Sequence, residues 1–148
     1  MPQSLSAVYV HGVFSTKSRS PFLADEALRK DIHAYIAGVT KRLDCPALEV
    51  GGVADHVHLL VRLSRTITIA DWMKETKRVS SSFVKETNVD FAWQAGYGAF
   101  SVSATDFDKI IHYIRSQDVH HRTVSFQDEF RQLLREHGME WDEKYVWD

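Results

Sequence analysis

Two extended runs, 47–53 and 56–63, are separated by only Ala54 and Asp55, and a long apolar stripe at helical spacing flanks them on each side. Two residues suffice for a tight antiparallel reversal and for little else. The runs therefore pair as a hairpin, and any sheet must be built around it. Upstream, Leu28, Ile32, Tyr35, Ile36, Val39 and Leu43 recur at steps of three and four. They predict a helix from about Leu23 to Leu43, stopped by Asp44-Cys45-Pro46. Downstream, Ile69, Trp72, Met73, Thr76, Val79, Phe83 and Val84 predict a second helix from Thr68 to about Glu86.

A β-branched, aromatic run at 6–15 precedes the first helix, and the glycine-punctuated stretch 91–102, FAWQAGYGAFSV, follows the second. Ser103 or Thr105 can cap a third helix running to about His120. Ser125 and Asp128 have capping-box spacing for a fourth, which Gly138 ends. The order is β-α-β-β-α-β and then helices. This predicts an α+β fold: a ferredoxin-like antiparallel sheet with additional C-terminal helices. With 148 residues the chain reads as one domain, 1–148, with its core over about 6–121 and a C-terminal helix and acidic tail over about 125–148.

Composition narrows the partners. The single cysteine, Cys45, excludes a disulfide framework, and no apolar run approaches the roughly 20 residues a membrane span needs. The expectation is a cytoplasmic protein with no membrane partner. A net charge of −2 argues against bulk coating of nucleic acid but leaves room for a local basic groove. Acids concentrate in 125–148, which carries a net −4, so residues 1–124 hold +2.

The chemistry-bearing residues are His56-Val57-His58 and the segment His112-Tyr113-Ile114-Arg115-Ser116-Gln117. Strand periodicity puts both imidazoles on one face, close enough for one divalent ion to bridge them, while Val57 points into the core. Tyr113 and Gln117, four apart on a helix, share a face. Taken singly, each pair also fits an ordinary packed or solvated surface. His120 and His121, three and four residues past Gln117, could reach an ion or a phosphate but read first as a solvated helix end, and His11 and His33 read as packing or surface residues.

Asp55-His56-Val57-His58-Leu59-Leu60, the helix HYIRSQ and the stretch Trp93-Gln94-Ala95-Gly96-Tyr97 together resemble the HUH-type single-tyrosine transposases, a group that includes the REP-associated tyrosine transposases. The resemblance covers about 6–121. It implies an enzyme that cuts and rejoins single-stranded DNA at hairpin-bearing ends. Tyr113 would be the nucleophile that forms a 5′-phosphotyrosine, and His56, His58 and Gln117 the ligands of Mg²⁺ or Mn²⁺. Insertion-sequence members of the group act as dimers and REP-associated members can be monomers; at 148 residues the expectation is a homodimer with composite sites. The residues themselves name no base for the Tyr113 proton.

For DNA contact, Arg62, Arg65, Lys74, Lys77, Arg78 and Lys85 form the best basic cluster, with Trp93, Tyr97 and Phe100 as aromatics able to stack on unpaired bases. The acidic tail is left free to cover the active site or a dimer seam. Two other readings stay open: a catalytically silent nucleic-acid-binding relative, and a ferredoxin-like binding module with no DNA role.

Overall fold

A computed structural model describes residues 2–148. The strands are β1 (Val8–Ser15), β2 (Ala47–Val53), β3 (His56–Leu63) and β4 (Gly98–Val102), and the helices α1 (Glu26–Arg42), α2 (Ile69–Lys85), α3 (Phe107–Arg115), α4 (Gln117–His120) and α5 (Phe126–Glu136). The four strands form one antiparallel sheet in the order β2-β3-β1-β4. This is the ferredoxin-like arrangement. Among the described residues no helix is long and apolar enough to cross a membrane.

Alternation along the strands divides the molecule. Val57, Leu59 and Val61 of β3 join Val10 and Phe14 of β1 in a core with Ile32 and Ile36 of α1 and Trp72 and Met73 of α2. The opposite face carries Val13 and Phe100, which pack against Phe126, Phe130, Leu133 and Leu134. Helices α1 and α2 thus cover one side of the sheet, and α3 to α5 the other. The histidines of β3 fall on the second side.

Capping fixes where the helices begin. The Asp25 carboxylate accepts from the backbone N–H of Ala27 and Leu28, so α1 starts at Glu26, and Leu23 enters the core ahead of the helix. Thr68 caps α2, and Ser125 caps α5 by accepting from the N–H of Asp128 at 3.1 Å. Gly138, at φ +64°, supplies the left-handed residue after α5.

Of the two readings open for 91–102, strand or loop-strand, the second is found: residues 98–102 pair with β1, and Trp93 makes an isolated bridge to Thr16. One expectation is corrected. The third helix does not run unbroken to His120. It begins as a 3-10 turn at Ala104–Asp106 and breaks at Ser116, which leaves helical geometry at φ −97°, ψ 18°. There the Ser116 hydroxyl donates to the His112 carbonyl at 2.8 Å and competes with the helical ladder.

Helix α3 presses onto β2. A Cβ on Gly51 would lie 2.7 Å from the carbonyl oxygen of Ile114, so only glycine admits the helix this closely.

Candidate active site

His56 and His58 leave β3 on the face covered by α3 to α5, and both are fully buried. Each is held from behind. The His56 Nδ1–H donates to Asp55 Oδ1 at 2.7 Å, and His58 Nδ1 is hydrogen-bonded to His11 Nε2 at 2.8 Å. His11 is itself buried, so it is neither a surface residue nor mere filling. His121 also lies inward, with its Nδ1–H donating to the Val124 carbonyl at 2.6 Å. Of the two readings open for it, a solvated helix end or a group within reach of an ion, the second is found, because the break at Ser116 turns α4 toward the sheet. All three rings therefore have Nδ1 engaged and Nε2 turned to a common centre.

That centre holds the carboxylate of Glu129, from the first turn of α5, itself 3% exposed. Glu129 Oε1 accepts from His58 Nε2 at 2.8 Å and stands 3.4 Å from His56 Nε2. Glu129 Oε2 accepts from the Tyr113 hydroxyl in a short hydrogen bond, from Gln117 Nε2 at 3.2 Å and from His121 Nε2 at 3.1 Å. Gln117 lends its amide oxygen to His56 Nε2 at 3.0 Å and His121 Nε2 at 2.9 Å. The four residues named for the site, His56, His58, Tyr113 and Gln117, thus meet in one chain. Their rings touch as well: Tyr113 stands edge-on to His58, with centroids 5.5 Å apart.

The charge pattern follows from these contacts. Burial works against a charge on His56, but the hydrogen bonds to Asp55 and Glu129 outweigh it and push the ring up to about 9. Burial keeps His58 below the ordinary histidine range and brings His11 down to about 3, so both are neutral at pH 7. Burial also works against the Glu129 carboxylate, but the surrounding imidazoles hold it ionised. The Tyr113 phenol is pushed up by burial and by the Glu129 charge it faces, so it keeps its proton.

The donor set suits a metal ion. One atom each from His56, His58, His121 and Glu129 lies within 4.8 Å of all the others. Each imidazole already has the outer hydrogen bond that orients a metal-binding histidine. Ligation by His58 Nε2 requires the proton on its other nitrogen. His11 permits the exchange, since a neutral imidazole can accept there as readily as donate. Three imidazoles with a carboxylate and an amide oxygen can hold a divalent ion.

The basic residues do not gather at the histidines: Lys74, Lys77, Arg78 and Lys85 lie on α2, across the sheet, while Arg62 is near the end of β3 and Arg65 just past it. Arg65, Lys74 and Lys85 are exposed. Arg62 donates to the Ser6 carbonyl, and Arg78 pairs with Glu75. Lys77 is half-buried, donates to the carbonyls of Ala95 and Gly96, and is brought down to about 8 by burial. Of the three aromatics, Trp93 and Phe100 are core residues, and only Tyr97 presents a partly exposed ring, beside Lys77.

Glu129 and the orienting role of His11 were missed in the sequence. The carboxylate looked like one more acid in an acidic tail. Its one signal was its position between Phe126, Phe130 and Leu133 on the apolar stripe of α5.

Comparison with known proteins bears on the family and the fold. Residues 4–117 match the family model described as transposase, IS200-like. No curated protein matches the chain. Among solved structures, a candidate transposase from Deinococcus radiodurans R1 is similar at TM-score 0.63 and 20% identity, with 79% of this chain and 95% of that one covered. A REP-associated tyrosine transposase bound to a REP hairpin is similar at TM-score 0.59 and 15% identity, over 84% of this chain and 76% of that one. At these identities the structural likeness speaks for the fold.

Proposed function

The chain belongs to the IS200-like transposase family, and from that premise we propose that it cuts and rejoins single-stranded DNA through a covalent link to Tyr113. One observation carries the reading. The Tyr113 hydroxyl and the Nε2 atoms of His56 and His58 converge on the two oxygens of the Glu129 carboxylate. These contacts, all within one chain, support a nucleophile and metal donors that act at one point, and they replace the composite sites expected of a dimer.

A Mn²⁺ or Mg²⁺ ion held by His56, His58, His121 and Glu129, with Gln117 beside them, would supply positive charge to the scissile phosphate and the departing 3′ oxygen. The other parts belong to the chain. Helix α3, pressed onto Gly51, fixes the Tyr113 ring. Asp55 and His11 hold the two imidazoles in orientation. Glu129 Oε2 accepts the phenol's hydrogen bond, and the proton leaves along it as the oxygen attacks phosphorus. The new bond joins the Tyr113 oxygen to phosphorus. The bond from phosphorus to the 3′ oxygen breaks, and that oxygen takes a proton from solvent. Attack by another 3′-OH on the phosphotyrosine restores the phenol and transfers the strand, with the ester bond conserved and no nucleotide triphosphate spent.

The hairpin bound by the REP-associated relative makes hairpin-bearing single strands the substrates to try. Pairing of two chains would bring two DNA ends together, and we retain the homodimer as part of the proposal. Light scattering at twice 17.0 kDa supports it, and a 17.0 kDa species alone removes it.

The test is a denaturing gel of protein incubated with labelled hairpin oligonucleotides and Mn²⁺. The expected result is a covalent adduct that disappears in Tyr113→Phe. Absence of any adduct across hairpins drawn from the DNA flanking the gene overturns the reading in favour of a silent binder.

A further inference from the structure

A cavity of about 880 Å³ opens beside Tyr113, between β4, α3 and α5. Its walls include Phe100 of β4, Ile110 of α3, Val119 and Val124 around α4, and Leu133 of α5. His120 also lines it. The buried Nε2 of that ring lies 3.2 Å from Glu129 Oε2 and has no hydrogen-bond partner. The cavity is thus a largely apolar hollow with the nucleophile at its edge.

We infer that this cavity receives the nucleobase next to the scissile phosphate, turned out of its neighbours' stack. The inference rests on the strand-transfer reading. A phosphate within bonding distance of the Tyr113 oxygen has a sugar and base attached, and they must go somewhere. On the inner side Glu129, Gln117 and the imidazoles fill the space. The cavity is the open volume beside the phenol. A base is a flat apolar body with a polar rim. Those properties match apolar walls together with the Gln132 side chain, which can both donate and accept. The volume lies within the range of pockets that enclose small organic ligands.

The experiment uses methyl-labelled full chain and simple probes: the four deoxynucleoside 5′-monophosphates, 2-deoxyribose 5-phosphate and inorganic phosphate. At least one nucleotide should shift the methyl signals of Ile110, Val119, Val124 and Leu133, with the base-free sugar phosphate at least tenfold weaker. Val119→Trp, at a site 56% exposed and so tolerant of change, should weaken the nucleotide at least tenfold by filling the mouth. Equal shifts from the base-free probe, or none from any nucleotide, overturn the base site. A tyrosine adduct formed without nucleotide shifts leaves strand transfer standing and removes this inference. Nucleotide shifts in a protein that forms no adduct keep the base site and remove strand transfer.

Discussion

Gly51 on β2 and Ile114 on α3 touch backbone to backbone, and Ile114 is the residue next to Tyr113. The position of the phenol is therefore set by a missing side chain on a strand remote in sequence. Gly51→Ala should push α3 outward at a cost of about 1–3 kcal/mol. Adduct formation should fall at least tenfold in protein that remains folded. Gly12→Ala, which meets Met73 and Trp72 on the other side of the sheet, should lower stability without that loss. Urea unfolding beside the adduct gel separates the two effects.

Glu129 should matter for stability even without DNA. Glu129→Ala strips the charged His56 of a buried partner, and breaking such a pair costs about 3–5 kcal/mol. Glu129→Gln, which keeps the shape and one acceptor, should cost less. Urea midpoints at pH 7 give the ranking, and equal midpoints would contradict it.

The metal-free protein should be most stable near neutral pH. His56 is raised to about 9, so its contribution is complete below its unfolded value of 6.5 and is lost as pH rises through 9. His11 and His33 are lowered by burial to about 3 and about 4, so their contributions are complete above 6.5 and are lost as pH falls toward those values. Thermal melts from pH 4 to 10 should trace this dome. Asp55→Asn should flatten its alkaline side.

Metal binding should release a proton. His56 must lose its own to become a ligand, so affinity should rise up to tenfold per pH unit until about pH 9. Calorimetry in buffers of different ionisation enthalpy counts the protons. Chelation should lower the melting temperature. His11→Phe removes the group behind His58 and should weaken the metal by 10–100-fold.

Periodicity made the sheet and its histidine face legible, since alternation puts Val57 and Leu59 on one side and His56 and His58 on the other. Both limits of the β2–β3 hairpin follow from Ala54-Asp55 and match the observed strands. The pairing of Tyr113 with the histidines was legible through the motif alone, because no local spacing says that α3 crosses β2. Glu129 was hidden for the same reason at longer range. Its neighbours on α5 announce a buried face, but what that face meets is decided by the sheet. The break at Ser116 was also unreadable, since a serine in a helical pattern is neutral until its hydroxyl is seen to bond backward.

The carboxylate at the centre comes from the last helix, well after both sequence signatures and beyond the residues the family model matches. A gene copy cut short after codon 122 would still spell out the paired histidines, the tyrosine and its glutamine. It would lack Glu129 and the apolar layer of Phe126, Phe130 and Leu133 that closes the sheet's second face. Searches of genomes for working copies by signature would count such remnants as intact, and the reading frame past Ser125 is what tells the two apart.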